Sequence, residues 1–263
     1  MNSSLKPKIA LGVLFSSLFL SFFSGALVLG IGIYSNSLSE KSYTFLSFII
    51  GQGFMLVPLL WFLKIRKEPI FKRLRIKPVK KETLVLTFFL SIGIIILSDE
   101  LDRLIQIIIP APDYILDLGG LLKPESLTDF LMLFIAVGII APLGEELLFR
   151  GFFQQVLEKN WKDITRAILI TALIFSFIHM NPYWFAQIYL LGIVLGFLAW
   201  KTKSVIPPLI LHSLNNIVAL IFSSVNLETS NIYIWNGHVA PWFIFIAFVW
   251  LYIGFSGINK IKL

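Results

Sequence analysis

Two adjacent carboxylates and an arginine stand close together in the run Ala141-Pro142-Leu143-Gly144-Glu145-Glu146-Leu147-Leu148-Phe149-Arg150-Gly151. On a helix, Glu146 and Arg150 share a face and can form an ion pair. Taken out of water, each would depend on the other, because removing one leaves an uncompensated charge. Glu145 lies about 100° further round the helix and lacks this partner. A carboxylate held from water without a cation suits general-base work near neutral pH. The alternative is a helix end emerging into water with all three groups solvated. A second candidate is His179, in Phe175-Ser176-Phe177-Ile178-His179, and a third is the i, i+4 pair His212 and Asn216 after Pro207-Pro208. Taken singly, His179 reads as a structural histidine and His212 with Asn216 as interhelical hydrogen bonding. Together they say more. The chain has 3 histidines, and two fall in apolar runs while His238 sits in an outer loop. A glutamate, two histidines and an asparagine from three helices suffice for water activation and oxyanion stabilisation.

The elements that must position these groups are membrane spans. Of 263 residues, 57% are hydrophobic and 14% charged, against about 25% charged in an ordinary soluble domain. That balance excludes a soluble enzyme and a disordered chain. The absence of cysteine excludes disulfides, thiol catalysis and thiolate metal sites. A helix crossing about 30 Å of hydrocarbon needs roughly 20 mostly apolar residues. Eight such segments are present, at 9–34, 43–63, 83–98, 127–148, 164–180, 183–200, 204–225 and 239–258. The first follows Lys6 and Lys8 as a signal peptide would, but it is too long and continues through Leu29-Gly30-Ile31-Gly32, so it is read as a retained span. Charges inside such spans cost at least ~2.5–3.5 kcal/mol each and are functional candidates by default.

The net charge of +7 is spread between apolar runs, where it orients the chain and does not point to nucleic acid. With the N-terminus inside, 18 of the 22 Lys and Arg face inward, nine of them between Lys64 and Lys81. The reading is an all-α polytopic transmembrane bundle of about eight spans with both termini cytoplasmic. Loop 64–82 is a topology anchor on anionic headgroups, or a docking site for an acidic partner. Segment 99–126 lies outside, and Asp99-Glu100-Leu101-Asp102-Arg103 ends the third span. Residues 1–263 form one membrane domain, with N-terminal spans in 1–110, a core in 127–225 and a final span at 239–258.

The three motifs resemble those of the CPBP (ABI) family of intramembrane proteases, which includes type II CAAX prenyl endopeptidases and bacteriocin-processing and self-immunity proteins. The family's EExxxR, FxxxH and HxxxN occur in order as Glu145 to Arg150, Phe175 to His179 and His212 to Asn216. The resemblance covers about the C-terminal half of the chain. It implies that Glu145 and His179 activate the attacking water, that His212 and Asn216 steady the oxyanion, and that Glu146 and Arg150 support them. It implies a glutamate-dependent endopeptidase without a cofactor. The alternative is a zinc enzyme with Glu145, His179 and His212 as ligands.

For Glu145 and His179 to meet, the fourth helix must continue past 148 through Gly151 to Leu157 and turn at Lys159 to Asp163, with a kink at Pro142-Gly144. Each then lies roughly 20–25 Å from that turn. A water-accessible cavity among spans four to seven follows, with the glycines at 192 and 196 allowing close approach. The expected partners are membrane lipids and a membrane-associated protein or peptide substrate, with or without a lipid group. The expected location is a bacterial cytoplasmic membrane. Two other functions compete: a non-proteolytic immunity or scaffold protein, and a proton-coupled transporter.

Overall fold

A computed structural model describes residues 5–35, 39–115, 120, 123–224 and 232–261, without the side chain of Glu40. Asp117 and Gly119 of the expected outer loop, Val225 of the seventh expected span and Lys262 lie outside the described residues. The chain is a bundle of apolar helices. They are α1 (Pro7–Ser35), α2 (Glu40–Phe54), α3 (Leu56–Ile65), the short α4 (Ile70–Arg73), α5 (Lys81–Ile108), α6 (Leu127–Trp161), α7 (Ile164–Ile178), α8 (Phe185–Thr202), α9 (Ile206–Ser224) and α10 (Pro241–Lys260). Among the described residues, seven helical stretches, with α2 and α3 counted as one, are long and apolar enough to cross a membrane, and the protein is an integral membrane protein.

Several boundaries have local causes. The second span breaks at Met55, three residues before Pro58, which has no N–H to continue the ladder from Phe54. The third does not end at Asp99 to Arg103, since α5 runs to Ile108. Two i, i+4 contacts carry it through, Arg103 to Asp99 at 3.4 Å and Gln106 to Asp102 at 2.6 Å. The fourth continues as expected: α6 reaches Trp161, Lys162 takes a left-handed turn conformation at φ 56°, and the Asp163 side chain caps α7. With 15 residues, α7 is about 22 Å long, shorter than the hydrocarbon core. A two-strand hairpin, β1 (Ile234–Trp235) and β2 (His238–Val239), precedes α10. Its Asn236-Gly237 turn has positive φ at both residues, the backbone twist that two-residue hairpins require.

Close helix contact depends on small residues. A Cβ at Gly51 would lie 2.9 Å from the Ser21 carbonyl oxygen, so only glycine lets α1 and α2 touch there. Gly93 does the same for α5 against α10, where a Cβ would lie 2.8 Å from the Ala247 carbonyl oxygen. One buried apolar cluster joins α1, α3, α6 and α7 through Leu14, Leu59, Phe149, Phe152 and Phe175. A second joins α5, α8, α9 and α10 through Leu90, Leu195, Leu211 and Ile258. The candidate motifs touch both, through Phe149 and Phe175 in the first and Leu211, beside His212, in the second. Four of the five expected inner segments gather at one end. Asn160 donates to Leu5 O, Arg75 pairs with Glu158, and Ser204 donates to Lys77 O.

Candidate active site

The site begins with an irregularity in α6. Residues Phe134–Ile140 and Leu147–Phe153 are π-helical, with Ala141–Glu146 between them. In the first π segment the Ala141 N–H donates to Ala136 O, five residues back instead of four, so it does not serve Val137. The residue five beyond Val137 is Pro142, which has no N–H. Val137 O is thereby stripped of a backbone donor, and Asn216 Nδ2 of α9 supplies one at 2.9 Å. Gly138 lets α9 come this near, since a Cβ there would lie 2.9 Å from Ile217. The expected kink at Pro142-Gly144 takes the form of this change of helical register. π segments often mark functional sites.

One turn on, the carboxylates point into the bundle. Glu146 and Arg150 are fully buried, and Glu145 is 7% exposed. The expected pair forms, with Arg150 Nη1 donating to Glu146 Oε1 at 2.9 Å. The same oxygen receives His212 Nδ1 from α9 at 2.8 Å. A carboxylate paired with arginine can only accept, so His212 Nδ1 carries hydrogen and its Nε2 faces the other way. Nε2 lies 3.7 Å from Glu145 Oε2, an oxygen with no hydrogen-bond partner among the described residues. Arg150 Nη2 also donates to Gly192 O of α8 at 3.3 Å. A Cβ at Gly192 would press on Ala172 at 3.1 Å, so glycine gives Arg150 its access to that carbonyl.

Phe175 joins the motifs. The Arg150 guanidinium lies over its ring at 4.1 Å, and the rings of His179 and His212 pack against it at 4.8 and 5.8 Å between centroids. His179 Nδ1 sits 2.7 Å from the carbonyl oxygen of Phe175. A carbonyl only accepts, so Nδ1 carries hydrogen and Nε2 keeps its lone pair. His179 is exposed and ends α7, whereas His212 is 4% exposed.

Glu145, Glu146, Arg150, His212 and Phe175 thus form one contiguous group, with His179 attached through Phe175 and Asn216 one turn along α9. The histidine nearest Glu145 is His212. No hydrogen bond or ion pair joins Glu145 to His179 among the described residues, so their direct pairing is not seen. Nor do Glu145, His179 and His212 form a three-ligand group, and no other His, Asp or Glu cluster among the described residues could hold a metal ion.

Sequence reasoning did not find the bond from Glu146 to His212, the role of the Phe175 ring, or the freed carbonyl of Val137. The last had a signal, since a proline inside a long apolar helix must strand a carbonyl. It also missed Gln154, fully buried, which donates at 2.9 Å both to Glu158 and to Gly196 O.

Comparison with known proteins bears on the stretch that carries the motifs. Residues 127–218 match the family model described as type II CAAX prenyl endopeptidase Rce1-like. All three motifs fall within that stretch, and over it the resemblance to CPBP proteases holds. A 106-residue stretch is 27% identical to an Escherichia coli protein described as "Uncharacterized 24.3 kDa protein". The aligned stretch is 39% of this chain and 49% of the relative, so the chain spans about half the length of that curated relative. No solved structure matches.

Proposed function

We propose that this chain is an intramembrane endopeptidase resembling type II CAAX prenyl proteases, which hydrolyses a peptide bond in a membrane-associated protein or peptide. The observation that carries the reading is the bridging oxygen of Glu146. By holding Arg150 at 2.9 Å and His212 Nδ1 at 2.8 Å, it presents His212 Nε2 to the unpartnered Oε2 of Glu145. A buried carboxylate oxygen without a donor, facing a ring nitrogen 3.7 Å away, suits a water molecule and a substrate carbonyl.

In this mechanism Glu145 takes one proton from water as the oxygen attacks the carbonyl carbon, and the lone pair of His179 Nε2 accepts a hydrogen bond from the hydrogen that stays on that oxygen. The C=O electron pair moves onto oxygen. His212 Nε2, protonated, and the second N–H of Asn216 donate to that oxyanion, since the first N–H of Asn216 is committed to Val137 O. Collapse expels the amine, which takes the proton from Glu145, leaving a new carboxyl and a new amino terminus. Arg150 and Glu146 touch no reacting atom and act by positioning His212. By the positive-inside bias, the end bearing Arg75 and Lys203 is cytoplasmic, so both termini face the cytoplasm of a bacterial inner membrane.

The test compares purified wild-type chain with Glu145→Ala and His212→Ala, each in lipid nanodiscs, against membrane proteins of the source organism. New peptide N-termini should appear with wild type and fall by about 10²-fold or more in both variants. Undiminished cleavage by purified Glu145→Ala removes that residue from the mechanism. A cellular function that survives joint replacement of Glu145, His179 and His212 favours a non-proteolytic scaffold instead.

A further inference from the structure

The basic segment between α3 and α5 is folded, and it is built into α6. Leu74 O lies 2.7 Å from where a Cβ at Gly151 would stand, so glycine admits this backbone. Gln155 Nε2 donates to Arg73 O at 2.9 Å, and Val205 N donates to Arg75 O at 3.0 Å. Arg75 pairs with buried Glu158. Two hollows, of about 470 and 590 Å³, open on either side of this seam and share Lys72, Gln155 and Lys159 in their walls. Arg66 and Arg73 line the first, and Arg75, Lys77 and Lys203 the second.

The acids here are already used. Glu68 accepts from Arg66 at 2.7 Å and from Arg73 at 2.8 Å, and Glu158 holds Arg75. Lys72, Lys77 and Lys159 have no ion-pair partner among the described residues, and Lys203 lies over the Trp200 ring at 5.2 Å. Arg73 Nη1 is buried without an acceptor. Burial, with Arg66 and Arg75 nearby, holds the Arg73 guanidinium below the usual arginine range. Burial and Arg75 do the same to the Lys203 ammonium. Cations crowded this way are relieved by an anion with several acceptor oxygens.

We propose that the two hollows flanking Lys72 and Lys159 form one binding site for the headgroup phosphate of an anionic glycerophospholipid. The apolar surroundings favour a lipid over a free ion. Phe71, beside Lys72, is 71% exposed, and Ile65, at the end of α3, is 61% exposed. A solvated phosphate site gains nothing from these side chains, whereas acyl chains would cover them. Lys159 is fourteen residues beyond Glu145, about 20 Å along α6, so this site is separate from the candidate active site and needs no cleavage to be tested.

The full chain is purified in neutral detergent with equal dioleoylphosphatidylglycerol and dioleoylphosphatidylcholine, and retained lipid is counted by native mass spectrometry. Phosphatidylglycerol should be retained about tenfold over phosphatidylcholine. Lys72→Gln with Lys159→Gln should lower its retention by about tenfold, while Lys72→Arg with Lys159→Arg keeps it. Lys8→Gln with Lys260→Gln, outside the hollows, should change nothing. Equal retention of the two lipids, or an equal loss in the Lys8/Lys260 variant, overturns the proposal. So does displacement of the lipid by millimolar inorganic phosphate, which would make the ligand a free ion. If the glutamine variant does not stay monodisperse, added salt decides: phosphatidylglycerol retention by wild type should fall as salt rises, and salt-independent retention refutes the site.

Discussion

Near the far end of α5 and in the middle of α6 the chain builds similar contacts twice. In α6, Arg150 pairs with Glu146 four residues back, and Glu146 receives His212 Nδ1 at 2.8 Å. In α5, Arg103 pairs with Asp99 four residues back, and Glu100 receives His238 Nδ1 at 2.8 Å. The i, i+4 arginine pair corresponds, although Glu146 takes both partners in α6 while Asp99 and Glu100 divide them in α5, and the solvent differs. The side chains of Arg150 and Glu146 are 0% and 1% exposed, and those of Arg103 and Asp99 are 26% and 23% exposed. In α5 water can replace a lost partner. In α6 burial leaves nothing to replace it, and Glu145 Oε2 has no hydrogen-bond partner among the described residues. The outer cluster ties a hairpin to a helix, with Val239 N also donating to Glu100 at 2.7 Å. Burial separates the two: the outer arrangement is a solvated fastening, and the inner one is closed off from water.

The widest separation should come from removing each arginine. Arg150→Leu strands the Glu146 carboxylate in the bundle and should cost ~3–5 kcal/mol. Arg103→Leu should cost less than ~1 kcal/mol, the range of exposed pairs. Thermal unfolding of the full chain in one detergent measures both. Equal losses would mean that water reaches Glu146 as freely as Asp99, and the contrast between the two regions would fail.

A smaller contrast lies in the two glutamines that bind an acid one turn away. Gln154 donates to Glu158 and to Gly196 O from a fully buried position, and Gln106 donates to Asp102 on the exposed side of α5. Gln154→Ala removes a donor from two buried acceptors and should cost ~1–3 kcal/mol. Gln106→Ala should stay within ~0.5 kcal/mol. If Gln154→Ala is as mild, the contact of α6 with α8 rests on packing at Gly196 and not on its polar bridge.

How much of this could be read beforehand depends on the range of each interaction. The pairing of Glu146 with Arg150 follows from helical spacing, which is local. The continuation of α6 to Trp161 follows from requiring Glu145 and His179 to share a depth, and the left-handed turn at Lys162 fulfils it. The passage of α5 beyond Arg103 is not legible, because a charged run has the look of a stop while its i, i+4 contacts sustain the helix. The bridge from Glu146 to His212 joins residues 66 apart and depends on how close α9 approaches. That approach is set by Gly138 and by the carbonyl that Pro142 frees, two features whose effect appears only when a neighbouring helix is in place. The depth of Phe175 in the group is of the same kind, since a phenylalanine in an apolar helix carries no mark of what stacks on it.

The smallest effect expected is a pH dependence confined to the outer region. Tyr233, beside the hairpin, packs against Phe222 and Phe243 at 5.4 and 5.1 Å between centroids. Burial, and then the nearby Asp99 carboxylate, push its hydroxyl above the ordinary tyrosine range. The folded chain therefore keeps this proton at a pH where the unfolded chain has released it. The stabilisation is fully present below the unfolded value of about 10 and is lost as pH rises from there through the folded value. Wild type should accordingly lose stability faster than Tyr233→Phe above pH ~10, with a difference in melting temperature on the order of a degree. Below that pH the two curves should run parallel. Glu146 and Arg150, shut away from solvent, should be unaffected, so cleavage measured over the same range should not follow the Tyr233 difference. A loss of cleavage that tracks Tyr233 would mean that the two clusters are coupled through α5 and α9, and that the outer region does more than fasten the hairpin.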